Sequence, residues 1–159
     1  DKRKNLPLLV RSFADFLKRT DSNFKLVLAG GAGQSSQMND KPVIDELVAE
    51  LGLQEKVILP GYVSDAQVRT LYENGFAIVE AMTFGLPVIH SDQPALMEVA
   101  GEAGLSVLTG DQQDLIEKMI LLTSENSRVA TMIKKGKEQS KKFSAQKFIE
   151  GFQNVILKN

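Results

Sequence analysis

With 159 residues, of which 43% are apolar and 25% charged, the chain has the length and composition of one globular domain with a hydrophobic core. Its net charge of -1 argues against a nucleic-acid-binding protein, which usually has a basic face and a high pI. The absence of cysteine excludes disulfides and thiolate metal sites, and it fits a reducing cytoplasm, where we expect the protein.

Helices and strands alternate from the start of the chain. Apolar residues recur at helical spacing over about residues 5–20, which predicts an amphipathic helix. The apolar run "KLVLAGG" (residues 25–31) predicts a buried strand that ends in glycines. A second helix follows over 43–51 and is closed by Gly52, and "KVILPGY" (56–62) predicts the second strand.

The second half continues this pattern and then becomes helical. The sequence "SDAQ" (Ser64–Gln67) is typical of a capping box, and the helix that it opens ends near Asn74. The later predicted elements are a helix stopped by Gly85, a strand over 86–90, a helix over 94–102, a strand over 104–108 and helices over 111–124, 126–143 and 145–158, with Asp111 and Ser144 as N-caps.

This alternation predicts βαβ units, and therefore an α/β fold with a parallel sheet and helices on both faces. The polar segment "GAGQSSQMNDK" (31–41) follows a strand and precedes a helix. It should lie at the carboxyl edge of the sheet, where ligands bind in this architecture.

One junction breaks the alternation. The helix that ends near Asn74 and the helix that begins near Ala77 have no apolar strand between them. Either the chain makes a tight turn at Gly75, or a strand and a loop are missing between Asn74 and Gly75.

The segment "GFAIVEAMTFGLPVIHSD" (75–92) resembles part of the C-terminal, nucleotide-sugar-binding domain of the GT-B glycosyltransferases in the large retaining group often called family 4. That family typically reads E-G-F-G-h-P-h-h-E-A-M-A-x-G-x-P-V-h-x-S-x, where h is apolar. The matching residues are Gly75, Phe76, Glu80, Ala81, Met82, Gly85, Pro87, Val88 and Ser91. The segments "KRKNLPLLVRSFADF", "KLVLAGGAG", "VILPGYVSDAQVRTLYEN" and "LMEVAGEAGLSV" are similar to family segments in the same order.

The departures from the family pattern all fall near the irregular junction. Asn74 stands where the family has the first of two glutamates, and the family has an apolar strand and a loop before the matching glycine. The resemblance therefore favours residues missing between Asn74 and Gly75. It also implies that residues 1–159 form one Rossmann-like donor-binding domain, the C-terminal half of a GT-B fold, whose first strand and N-terminal acceptor domain would precede Asp1.

The resemblance assigns roles to particular residues. Lys4 matches the family's phosphate-binding lysine and is the candidate catalytic residue, which would stabilise negative charge on the leaving diphosphate. Glu80 matches the second glutamate, whose carboxylate can accept hydrogen bonds from the ribose 2′- and 3′-hydroxyls. Without the resemblance, Lys4 is one basic residue of a terminus and Glu80 is a solvated helix residue.

The other candidate donor contacts involve backbone groups. Glycines after the first strand would let the ligand approach closely, and residues after the second strand would hold the base. Backbone amides just before the helix that starts near Ile78 would face the diphosphate or the sugar. These positions are Gly30, Gly31, Tyr62, Val63, Gly75, Phe76 and Ala77. The alternatives are a helix end at Gly75 and a packed aromatic at Tyr62.

The resulting functional prediction is retaining transfer of a sugar from a UDP-, GDP- or ADP-sugar to an acceptor hydroxyl, in polysaccharide, glycolipid or similar glycan synthesis. The glycan or lipid acceptor would bind through the N-terminal domain, so the isolated domain should be inactive. We expect no cofactor, no metal and no nucleic-acid partner. The alternatives are a sugar-nucleotide epimerase and a nucleotide-binding or regulatory module that has lost the chemistry.

A run of lysines near the C-terminus has two interpretations. Lys134, Lys135, Lys137, Lys141 and Lys142 cluster on a predicted helix. They form either a solvated helix face, which is the more common case, or a peripheral contact with an anionic membrane surface.

Overall fold

A computed structural model describes residues 4–29, 39–61, 77–143 and 147. The helices in these ranges are α1 (Leu6–Thr20), α2 (Lys41–Glu50), α3 (Ala77–Thr83), α4 (Pro94–Ala100), α5 (Gln112–Ser124) and α6 (Asn126–Ser140). The strands are β1 (Leu26–Ala29), β2 (Val57–Gly61), β3 (Val88–Ser91) and β4 (Gly104–Val107). Short 3₁₀ turns occupy Gly101–Ala103 and Lys141–Phe143.

The chain divides into two compact units, residues 1–68 with 110–121 and residues 69–109 with 122–159. In the first unit, β1 pairs with β2 in parallel, with Leu26 opposite Val57. In the second unit, β3 pairs with β4 in parallel, from Val88 opposite Gly104 onward. The predicted α/β class with parallel strands is confirmed. That residues 1–159 form one donor-binding domain stays a prediction.

The core of the first unit lies on one face of the β1–β2 pair. Alternate residues of β1, Leu26 and Leu28, pack against this core, whereas Val27 on the opposite face is 42% exposed. This alternation follows from the period of two along a strand. The buried residues of the core are Val10, Phe13, Ala14, Phe16, Ile44, Leu47, Val48, Leu53, Val57 and Ile116.

The core of the second unit is centred on α3. Met82 is completely buried and Ala81 is 8% exposed, so the apolar residues of the "EAM" sequence point into the protein. They pack with Val88, Ala100 and Ala103. Helix α6 packs against α3 as well. The position of α3 is therefore set by β3 and α4 together with α6.

The predicted glycine stops are confirmed at two helix ends. After α2, Gly52 has φ +66°, and the Leu53 N–H donates to the Val48 carbonyl oxygen at 2.8 Å. After α3, Gly85 has φ +72°, and the Leu86 N–H donates to the Ala81 carbonyl oxygen at 2.7 Å. Both are Schellman closures, which require a residue in the left-handed region.

The predicted N-cap of α5 is also confirmed. The Asp111 carboxylate accepts a hydrogen bond from the Asp114 backbone N–H at 2.9 Å. This satisfies one of the donors that a helix leaves unpaired at its start.

The predicted strand over 86–90 is shifted in the structure, where β3 runs over Val88–Ser91. The reason is that the Leu86 N–H closes α3 and Pro87 has no N–H to donate to a strand. The predicted helices over 64–74 and 145–158, the Ser144 N-cap and the Asn74–Gly75 junction lie outside the described residues. In the part of the chain that the structure describes, no helix has both the length and the apolar composition needed to cross a bilayer.

Candidate functional site

Of the predicted site positions in the first unit, the structure describes Lys4, which lies toward the carboxyl edge of the β1–β2 pair. Since β1 and β2 are parallel, the chain leaves Ala29 and Gly61 at the same edge. Helix α1 ends shortly before β1 and packs on the same core, so its N-terminus points back toward this edge. Lys4, two residues before the start of α1, is exposed there. Ligands of α/β folds bind at this edge.

Glu80 lies in the first turn of α3, in the second unit. Because α3 ends just before β3 begins, its first turn lies toward the carboxyl ends of β3 and β4. The Glu80 side chain is partly buried, and among the described residues its carboxylate has no hydrogen-bond or ion-pair partner. A partly desolvated carboxylate without a partner is a strong acceptor for hydroxyl groups of a ligand.

A second polar group at this edge was not predicted. The Asp92 carboxylate follows β3, and its Oδ1 accepts hydrogen bonds from the Thr109 backbone N–H at 3.1 Å and the Thr109 hydroxyl at 2.5 Å. The hydroxyl bond is the main cause that lowers the pKa of Asp92 from its ordinary value. The sequence signal that could have indicated Asp92 is an acidic residue directly after a predicted strand.

His90 is the only histidine of the chain, and in the structure it is a packed residue. Its side chain is 7% exposed, and its Nδ1 lies 2.8 Å from the Ser91 carbonyl oxygen. The ring rests on Gly104, where a Cβ would lie 2.6 Å from the His90 Cδ2. His90 therefore fills the space that a glycine leaves open on β4.

The lysines of α6 and the turn after it are exposed and partly ion-paired. Lys135 Nζ lies 2.9 Å from a Glu102 carboxylate oxygen, and Lys141 Nζ lies 2.7 Å from Glu138. These pairs neutralise part of the cluster, which favours the solvated helix face over a membrane contact.

The remaining predicted donor contacts are not described. Gly30, Gly31, Tyr62, Val63, Gly75 and Phe76 lie outside the described residues. Ala77 is the first residue of α3, so it shares a helical turn with Glu80. The described structure thus brings Ala77 and Glu80 together in the second unit and puts Lys4 in the first.

The family model described as "Glycosyl transferases group 1" matches residues 1–139 of this chain. A curated relative, the GDP-mannose:cellobiosyl-diphosphopolyprenol alpha-mannosyltransferase of Xanthomonas oryzae pv. oryzae, is 34% identical over 114 residues, which are 64% of this chain and 28% of the relative. The chain spans between 26% and 39% of the length of the curated relatives that it matches.

Two solved structures are similar in fold. The Anabaena protein HepE in complex with UDP-glucose superposes with a TM-score of 0.76 at 21% identity, over 94% of this chain and 45% of that one. The C-terminal domain of the group 1 glycosyl transferase LpcC from Francisella tularensis superposes with a TM-score of 0.75 at 21% identity, over 91% of this chain and 82% of that one. The fold is that of the C-terminal domains of GT-B glycosyltransferases.

Proposed function

This chain belongs to the group 1 glycosyl transferases, and on that basis we propose that it binds the nucleotide-sugar donor of a sugar transfer to an acceptor hydroxyl. The observation that carries this proposal is the Glu80 carboxylate, which is partly buried, has no partner among the described residues and lies in the first turn of α3. The names of similar proteins, which mention GDP-mannose and UDP-glucose, support a nucleotide sugar as the ligand class.

In this proposal Glu80 accepts hydrogen bonds from the ribose 2′- and 3′-hydroxyls of the donor. A carboxylate is suited to this because its two oxygens accept from two neighbouring hydroxyls without a proton of their own. Ala77 and the residues before it, Gly75 and Phe76, supply backbone N–H groups for the diphosphate or the sugar. Gly30, Gly31, Tyr62 and Val63 complete the proposed donor contacts.

The proposed reaction breaks the bond between the sugar C1 and the diphosphate oxygen, and the electron pair leaves with the diphosphate. The acceptor oxygen bonds to C1 with retention of configuration, and its proton passes to the leaving diphosphate. The developing negative charge on the phosphate oxygens needs a positive group, and Lys4 is our candidate. A lysine is effective here because its ammonium group is a compact charge with several donors.

The acceptor is proposed to bind outside the described residues, on a second domain of the full-length protein. The length of the curated relatives supports this arrangement, since each is more than twice as long as the segment that this chain matches. The 1–159 domain by itself is therefore expected to bind donor without transferring sugar, and a cytoplasmic location stays part of the proposal. The family membership argues against the epimerase alternative.

The test compares ribonucleotides with their 2′-deoxy forms in the full-length protein. Hydrogen bonds to charged groups contribute about 1.5–3 kcal/mol, so wild-type protein should bind UDP or GDP roughly 10- to 100-fold more tightly than the matching 2′-deoxynucleotide. Glu80→Gln should lose most of this preference, as measured by isothermal titration calorimetry.

The matched control is Glu46→Gln, which alters an exposed glutamate of α2 and should leave the preference unchanged. Equal discrimination against the deoxynucleotide in wild-type and Glu80→Gln protein would contradict the role of Glu80. Absence of binding to UDP, GDP and ADP alike would contradict the donor-binding function.

A further inference from the structure

We propose that Gly136 of α6 is a positioning residue for Glu80: it lets α6 approach α3 closely enough to hold the Glu80 carboxylate at the donor ribose. This inference rests on the proposed function of Glu80. Gly136 acts through α3 and does not itself contact the ligand.

Gly136 packs directly against Met82 of α3. Gly136 is buried inside α6, where glycine is unfavourable by about 1 kcal/mol relative to alanine. A Cβ at this position would lie 3.2 Å from the Met82 Cγ and 3.3 Å from the Met82 Cβ. These distances are shorter than ordinary carbon–carbon contacts of about 3.5–4.0 Å, so the missing side chain is what permits the approach of the two helices.

A second close contact lies one turn farther along the interface. A Cβ at Gly85, directly after α3, would lie 2.9 Å from the Lys137 Cε and 3.3 Å from the Ile133 Cγ2. Helix α6 therefore contacts α3 at Met82 and at the turn that ends it. At both contacts the missing side chain of a glycine leaves room for the facing residue.

The space beside Met82 of α3 is filled by packed side chains. Met82 is completely buried, and its neighbours Val88 and Ala100 are 8% and 0% exposed. Since packed interiors resist added volume, a methyl group at position 136 should displace α3 rather than be absorbed by an empty space. Glu80 is two residues from Met82 on the same short helix, so it moves with it.

A small displacement is enough to weaken binding. Binding groups have to be held within about 0.5 Å of their productive geometry. A 1 Å misplacement of a reacting group can lower a reaction rate about 100-fold. If binding has a similar sensitivity to position, a shift of a few tenths of an ångström should weaken donor binding about three- to tenfold. The helix itself gains from the change to alanine, so the global stability should fall by less than the binding does.

The experiment is a double-mutant cycle in the full-length protein, with the dissociation constants of UDP, GDP and their 2′-deoxy forms as the readout. The proteins are wild type, Gly136→Ala, Glu80→Gln and the double variant. We expect Gly136→Ala to weaken ribonucleotide binding three- to tenfold and to reduce the preference over the deoxynucleotide. In the double variant, Gly136→Ala should add nothing to the effect of Glu80→Gln on the ribose preference, because the effects of substitutions at coupled residues are not additive.

Two results would overturn the positioning role while leaving the proposed function intact. One is an unchanged ribose preference in Gly136→Ala when Glu80→Gln loses it, and the other is full additivity in the double variant. If Glu80→Gln itself keeps the ribose preference, the proposed function of Glu80 fails instead. The two failures are therefore distinguishable.

Two further variants guard against misfolding and indirect effects. Met82→Leu keeps the Cβ and Cγ that face Gly136 but adds a branch at this Cγ, at nearly constant side-chain volume. It should therefore fold, crowd the same contact and reduce the ribose preference in the same way. Thr131→Ala changes an exposed residue of α6 and should leave binding unchanged. Normal ribose preference in Met82→Leu would count against the proposal even if Gly136→Ala does not fold.

Discussion

Replacing Gly104 by alanine should destabilise the second unit through a clash with His90. The added Cβ would lie 2.6 Å from the His90 Cδ2, 2.8 Å from its Nε2 and 3.1 Å from the Ala100 Cβ. Neither neighbour can move into solvent, because His90 is 7% exposed and Ala100 is fully buried. The backbone at Gly104 has φ -106°, which alanine adopts without strain, so the clash is the only penalty.

The expected magnitude follows from two opposing effects. Overpacking a core costs about 1–3 kcal/mol, whereas replacing glycine by alanine returns about 0.4–1 kcal/mol by restricting the unfolded chain. The net loss in the free energy of unfolding should be about 1–2 kcal/mol, which for a chain of this length corresponds to roughly 2–8 °C in Tm. Urea denaturation followed by circular dichroism measures the loss directly.

His90→Ala provides the control, because it removes the ring that the new methyl group would meet. Gly104→Ala made in the His90→Ala background should cost much less, because only the 3.1 Å contact with the Ala100 Cβ remains, so the two changes should show strong coupling. If Gly104→Ala lowers the free energy of unfolding equally in both backgrounds, the clash with His90 is not the cause and the reasoning is refuted.

The remaining predictions concern helix ends and one carboxylate. Asp111→Ala should lower the free energy of unfolding by about 0.5–2 kcal/mol in urea denaturation, because Asp114 loses its capping acceptor; an unchanged midpoint would contradict the cap. Gly52→Ala should cost about 1–2 kcal/mol in the same assay, because alanine is strained at φ +66° and has no compensating contact there. Thr109→Val should raise the pKa of Asp92 in a carboxyl NMR titration, since the Thr109 hydroxyl is the main cause that lowers it. The stability that the lowered Asp92 pKa contributes is present above the ordinary carboxyl pKa and is lost as the pH falls through the lowered pKa. In Thr109→Val the free energy of unfolding should therefore decrease less over this pH range. An unshifted titration would contradict the assignment.

The sequence predicted best those features that depend on nearby residues. Gly52 and Gly85 end helices, and Asp111 begins one, through hydrogen bonds that span only a few positions. Such signals are readable from a single sequence because the residue type and its partner lie in the same local window. The third strand begins at Val88 rather than at the predicted residue 86, because the Leu86 N–H closes the preceding helix and cannot also pair in the strand.

The features that could not be predicted depend on contacts between distant segments. A glycine inside a helix indicates only a weak helix position, and nothing in the sequence around Gly136 points to Met82 as its neighbour. The same holds for Gly104 beneath the ring of His90. Asp92 gave a partial signal as an acidic residue after a strand, but its bonds to Thr109 follow from the parallel pairing of β3 with β4.

The candidate site was predicted through the family resemblance, and the described structure tests only part of it. Glu80 could be assigned because its "EAM" context matches the family, and its neighbours Ala81 and Met82 are buried. This burial explains the "EAM" sequence physically, since the core residues Ala81 and Met82 fix the helix that carries the Glu80 carboxylate. The roles of Lys4 and of the glycine and aromatic positions stay predictions.

The measurement that tests the central claim most directly is the distance from the Glu80 carboxylate to the ribose in a crystal structure of the full-length protein with bound UDP or GDP. We predict that the carboxylate oxygens accept hydrogen bonds from the 2′- and 3′-hydroxyls at about 2.5–2.7 Å. A nucleotide bound in the crystal with its ribose out of reach of Glu80 would contradict the assignment.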